Sequence, residues 1–220
     1  MGNIFKKQNN NNYDYDYNYY DYVDNNFTIK HKEYVIPCKY IISSIPTQNT
    51  IFIINSVNRT IDDIYKMLVT LKTCCNANIA TFEFNLDTLT QKKSSCSKVL
   101  KIFIKHMTNN HNINLKNVIL CSIADSVDIT LKYYNNHNLR NQMILINPPY
   151  ISPLVCCHEY HIKYKNQAFL MLYEKHKEDI IINYCEKTKN NNVKITNPEN
   201  VNHDLCNLAN AIFSQNNMKK

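Results

Sequence analysis

Hydrophobic residues follow two rhythms along this chain. Short runs that are apolar throughout or nearly so occur at Thr50–Ile54, Asn78–Phe84, Asn117–Leu120, Met143–Ile146 and Ala168–Leu172, with a weaker run at Asn192–Thr196. Runs of this length read as strands covered on both faces. Between them lie stripes of helical spacing: Ile61, Ile64, Tyr65, Leu68 and Leu71, then Val99, Leu100, Phe103, Ile104 and Met107, then Val127, Ile129, Leu131 and Tyr134. A last stripe, Leu205, Leu208, Ala209, Ile212 and Phe213, closes the chain. Thr60 and Asp63 stand where a capping box would open the first helix. Glu33–Ile42 is rich in strand formers but contains Pro37, which suits an edge strand or a break between two strands. Strand and helix alternate, which predicts an α/β class with a mostly parallel central sheet and helices on both faces.

Residues 8–26, dense in Asn, Tyr and Asp, show neither period. They predict a disordered low-complexity arm spanning 1–26, a domain over 27–215 and a short tail at 216–220. At 220 residues the chain suits one domain with a full core. It holds a single glycine, Gly2. Gly-rich phosphate loops are therefore absent, and turns that need positive φ fall to Asn, Asp or a strained residue. The net charge of +7 is moderate and its lysines are spread along the chain, so no nucleic-acid partner is expected. Nine cysteines without a secretory start predict reduced thiols and a cytoplasmic protein, and no apolar run reaches transmembrane length.

Candidate chemistry centres on Asn117–Ser126, where a buried strand stops abruptly in Ser122-Ile123-Ala124-Asp125-Ser126 and a helical stripe follows. Elsewhere the signals are thinner. Cys156, Cys157, His158, Glu159 and His161 gather soft and borderline ligands, but adjacent cysteines lack the C-x-x-C spacing of a zinc hairpin, so neither metal nor cofactor is expected. His106, His111, His137 and His176 lie in polar stretches and read as solvent-facing. Gly2 is a candidate for N-myristoylation; Lys6 stands where the motif prefers Ser or Thr, and Lys6 and Lys7 would supply a small basic second signal for a membrane surface.

The order of elements and their ends resembles the α/β-hydrolase fold, and within it the abhydrolase-domain, membrane-associated protein depalmitoylases. Asn117–Leu120 is similar to the strand before the nucleophile elbow. Ile79–Phe84 is similar to a strand ending in Tyr-Asp-Tyr, Met143–Pro148 to one ending in Ser-Pro, and Asn202-His203-Asp204 to the segment bearing the catalytic histidine. Laid on G-x-S-x-G without a gap, Ser122 and Ser126 take the glycine positions and Ala124 takes the nucleophile's. Asn55-Ser56-Val57 replaces His-Gly-Asn at the oxyanion loop, and Leu86-Asp87-Thr88 replaces Gly-Tyr-Gly. The position of the acid falls on Lys177, beside Glu178 and Asp179.

The resemblance thus implies a retained His203 and a lost nucleophile at Ala124: a pseudoenzyme that uses the fold to bind a protein partner or an acyl group. The alternative is an active serine hydrolase of esters or thioesters, with Ser122 as nucleophile after a two-residue shift, His203 as base and Asp179 or Glu178 as its orienting acid. Cys121 as a thiol nucleophile is a weaker variant, because free cysteine at a strand's buried end is usually a core residue.

Overall fold

The structure is a computed structural model that describes residues 23–57, 59–84, 93–137, 141–147, 168–172, 193–196 and 199–218. Its strands are β1 (Val23–His31), β2 (Tyr34–Ile42), β3 (Thr50–Ile54), β4 (Asn78–Phe82), β5 (Val118–Ile123), β6 (Gln142–Ile146), β7 (Ala168–Leu172) and β8 (Val193–Ile195). The helices are α1 (Tyr65–Cys74), α2 (Lys93–Asn110), α3 (Ser126–His137) and α4 (Val201–Met218). The eight strands form one sheet in the order β1-β2-β4-β3-β5-β6-β7-β8. From β4 to β8 every pairing is parallel, while β2 runs antiparallel to both β1 and β4. The carboxyl ends of β3, β4, β5 and β6 therefore share one edge of the sheet.

Alternation along the inner strands feeds two cores. Phe52, Leu120, Met143 and Leu145 point to the layer of α2 and α3, where Leu100, Phe103 and Leu131 meet them. Ile51, Ile53, Cys121 and Ile144 point the other way, onto Leu68 and Leu71 of α1 and Leu205, Ala209 and Ile212 of α4. Because both faces are covered, β3, β4 and β5 are buried at every position, and that is why they read as continuous apolar runs. On the α2 side, Phe103 packs edge-on to Phe52 at 5.4 Å and tilted against Phe82 at 4.6 Å. The entry to α1 is a single 3₁₀ turn, Asp62–Ile64, fixed by the expected capping box: Thr60 N–H donates to Asp63 Oδ2 at 2.7 Å and Asp63 N–H to Thr60 Oγ1 at 3.4 Å.

Three local expectations need correction. First, β1 starts at Val23, inside the stretch assigned to the arm. Nearly all of its positions face solvent, and a strand with little to bury carries no hydrophobic period. Second, Pro37 lies within β2, a strand paired on both sides. It faces Thr28 in β1, and its carbonyl accepts Glu83 N–H at 2.9 Å on the side of β4. Backbone groups of one strand residue point the same way, so the missing N–H is on the β4 side, beyond the last β2–β4 partner pair, and the β1 ladder loses nothing. Third, Tyr65 belongs to the first helical stripe by spacing but is 57% exposed. The bounds 1–22 and 219–220, with the segment at Leu86-Asp87-Thr88, lie outside the described residues.

Candidate active site and its neighbours

β5 ends at Ile123, and α3 begins at Ser126, so Ala124 and Asp125 alone make the turn. Ala124 has φ of 53°, a left-handed conformation that costs an alanine roughly 1–2 kcal/mol. A neighbouring strand and the following helix hold it there: Ala124 N–H donates to the Ile146 carbonyl at the end of β6 at 2.9 Å, and Val127 N–H in the first turn of α3 donates to the Ala124 carbonyl at 3.2 Å. Asn147, just past β6, also has positive φ (45°), and its N–H bonds the Met171 carbonyl at 2.8 Å. Asn112 and Lys32 are the remaining positive-φ sites among the described residues, so asparagine takes half of the turns that a glycine-poor chain must make.

The two serines flanking the turn are structural. Ser126 is fully buried; its Oγ accepts Ile123 N–H at 2.9 Å and lies 2.7 Å from the Ile54 carbonyl and 2.8 Å from the Ile123 carbonyl, either of which takes its proton. It thereby fastens the end of β5 to the end of β3. Ser122 is also fully buried, inside β5, and its Oγ donates to Thr130 Oγ1 of α3 at 2.6 Å. Cys121, one residue earlier, is sealed in the opposite core, and burial pushes its thiol up to about 12, far from a thiolate at neutral pH.

The loop after β3 is fixed by its own polar groups. Asn55, fully buried, donates through Nδ2 to the Thr60 carbonyl at 2.7 Å and accepts Ser56 N–H at 2.8 Å. Glu83, past β4, accepts Ile61 N–H at 2.7 Å. The Val57 N–H then reaches across to the turn and donates to Asp125 Oδ1 at 3.1 Å. Cys96 of α2 is close enough to feel the same carboxylate: burial first, and Asp125 second, raise its thiol above the ordinary value.

His203 sits in the first turn of α4 and is exposed. Asp179, Glu178, Lys177, Gly2 and the Cys156–His161 cluster lie outside the described residues. Among those described, no group of three or more His, Cys, Asp or Glu side chains is placed to hold a metal ion, and no helix is long and apolar enough to cross a membrane.

Several solved esterases share the overall fold of this chain. An arylesterase matches with a TM-score of 0.65 at 10% identity, over 87% of this chain and 85% of that one. Est1E from Butyrivibrio proteoclasticus matches at 0.65 and 6% identity, over 89% and 99%. The Francisella virulence factor BioJ matches at 0.62 and 12% identity, over 86% and 85%. The chain has the α/β-hydrolase fold. No protein-family model matches the sequence, and no curated protein matches it significantly.

In an α/β-hydrolase, the residue at the apex of this turn presents the nucleophile, and the oxyanion hole combines the N–H of the following residue with one from the loop after β3. Here the apex side chain is the methyl of Ala124. The loop N–H of Val57 is engaged by the carboxylate of Asp125, the residue that follows the apex. Asp125 carries no motif of its own. Its only signal in the sequence is its place beside Ala124, and the partner that gives it meaning lies 68 positions away.

Proposed function

We propose that this chain is a catalytically inactive α/β-hydrolase-like protein that serves as a binding or scaffolding module. Ala124 carries the reading: it occupies the positive-φ apex of the turn and offers no atom that can attack a carbonyl. Hydrolysis on this fold needs a nucleophile, a histidine base and donors aimed at the developing oxyanion. The Asp125–Val57 bond supports the reading independently, because a carboxylate on the loop N–H puts acceptor charge where a transition state would develop its own. Against the serine hydrolase built on Ser122, Asp179 and His203 stands the complete burial of Ser122 and the engagement of its hydroxyl by Thr130.

The likeness to depalmitoylases adds an acyl group or an acylated protein as the ligand class, with Gly2 lipidated and the protein working in the cytoplasm at a membrane surface. Gly2→Ala should abolish incorporation of an alkynyl myristate. For the central reading, the purified chain is assayed with short-chain p-nitrophenyl esters and an S-acylated peptide. The expected result is turnover no faster than in buffer alone. Turnover that disappears in Ser122→Ala would overturn the proposal.

A further inference from the structure

The open edge of the sheet has a feature that the elbow does not use. β1 pairs only with β2, so among the described residues its outer edge has no strand partner. Opposed residues of an antiparallel pair alternate between exchanging hydrogen bonds and facing away. Thr28 is opposite Pro37, which has no N–H and whose carbonyl serves Glu83, so Thr28 is of the second kind. By the period of two, the backbone N–H and C=O groups of Asn26, Thr28 and Lys30 point outward.

Beside this edge runs α2, and between them lies a groove of about 360 Å³. Its floor is apolar, from Ile29, 5% exposed, and the half-buried Ile102. Its walls carry Lys30, Lys101, Lys105 and His106, and among the described residues no carboxylate lines it. A strand edge beside a helix, with a groove between them, is the arrangement that binds extended peptides by strand addition: main-chain bonds supply affinity, and alternate side chains enter the groove.

We propose that this groove docks an acidic peptide in extended conformation, added to the sheet as a ninth strand beside β1. Alternate residues of the peptide face α2, with an apolar side chain over Ile29 and Ile102 and carboxylates against Lys101 and Lys105. The other alternate residues face solvent. Both features of the partner follow from the groove: an edge with no strand partner among the described residues selects an extended backbone, and lysines with no carboxylate against them among those residues select acidic side chains. The surface is separate from the Ala124 turn, so it operates whether or not the turn is inert.

The test uses the full chain and a labelled, terminally blocked peptide of alternating glutamate and threonine in which one glutamate is replaced by valine, followed by fluorescence anisotropy. Binding should weaken at least tenfold in Lys101→Glu/Lys105→Glu, two exposed positions where charge reversal leaves the core alone. It should weaken by a similar factor when the peptide is N-methylated at alternate residues, and in Thr28→Pro, which removes an outward N–H without touching the β2 ladder. Circular dichroism checks that Thr28→Pro folds, and the lysine variant answers independently if it does not. Equal binding by a peptide with lysine in place of glutamate would overturn the acidic partner. Equal binding by the N-methylated peptide would overturn strand addition and leave a charge patch. Self-association of the chain abolished by Thr28→Pro would overturn the proposal by assigning the edge to a second copy.

Discussion

The N–H of Val57, in the loop after β3, donates to Oδ1 of Asp125, the residue after the apex of the β5–α3 turn, at 3.1 Å. The bond joins the two segments that build an oxyanion hole in this fold, and it joins them through a carboxylate of the chain itself. Asp125→Ala would leave a half-buried N–H without its acceptor and should cost about 1–2 kcal/mol, while Asp125→Asn, which keeps an oxygen there, should cost less. Urea unfolding of the three proteins checks the order.

The same bond bears on rescue of activity. Ala124→Ser places a hydroxyl at the apex but leaves Asp125 on the loop N–H, so it should react with ester substrates barely faster than the native chain. Adding Asp125→Ala frees one donor, and a single oxyanion donor is worth about 10²–10³ in rate. Single-turnover measurements should therefore find the double variant faster than Ala124→Ser alone.

Ser126 and Ser122 differ in what they hold together. Ser126 serves three backbone groups at the junction of β3 and β5, all in the dry interior. Ser122 makes one bond, to a threonine in a helix whose hydroxyl can turn to a backbone carbonyl one turn back. Ser126→Ala should cost about 2–3 kcal/mol and Ser122→Ala about 1 kcal/mol, read from denaturation midpoints.

The conformation of Ala124 also has an energetic consequence. Glycine at this position would lose the Cβ strain but gain freedom in the unfolded chain worth about 0.4–1 kcal/mol. Ala124→Gly should thus be neutral to stabilising by up to about 1.5 kcal/mol. Ala124→Val, with a branched side chain at positive φ, should be clearly destabilising.

Acid should weaken the β1–α2 contact. Phe27 stacks on His106 and tilts against His111, both at 5.5 Å, and the two histidines are 5.8 Å apart. Burial lowers both pKa values below the ordinary 6.5, and for His111 the neighbouring His106 adds to it. A lowered folded value means that the unfolded chain takes up protons first. The stabilisation is complete above 6.5 and is lost as pH falls from there through the folded values. Unfolding midpoints measured from neutral to mildly acid pH should decline more steeply in the native chain than in His106→Gln/His111→Gln.

Much of this architecture is legible in the sequence, and for a reason. β3, β5 and β6 are buried on both faces, so nothing polar interrupts them, and α2, α3 and α4 each bury one stripe. The turn is legible because its small residues must stay small: Ser122 and Ser126 are packed to zero exposure. β1 is hidden because its residues bury almost nothing. His106 and His111 read as solvent-facing from their polar surroundings, yet Phe27 draws both into a half-buried cluster, a contact spanning some eighty positions that no local pattern announces. The Val57–Asp125 bond is hidden for the same reason.

The central claim is that no hydrolase nucleophile survives at the end of β5. Its most direct test is labelling of the purified, folded chain with a fluorophosphonate serine-hydrolase probe, beside Ser122→Ala and His203→Ala. The account predicts no labelling in any of the three. Labelling of the native chain that vanishes in both variants would contradict it, and would place an active serine two residues before the turn.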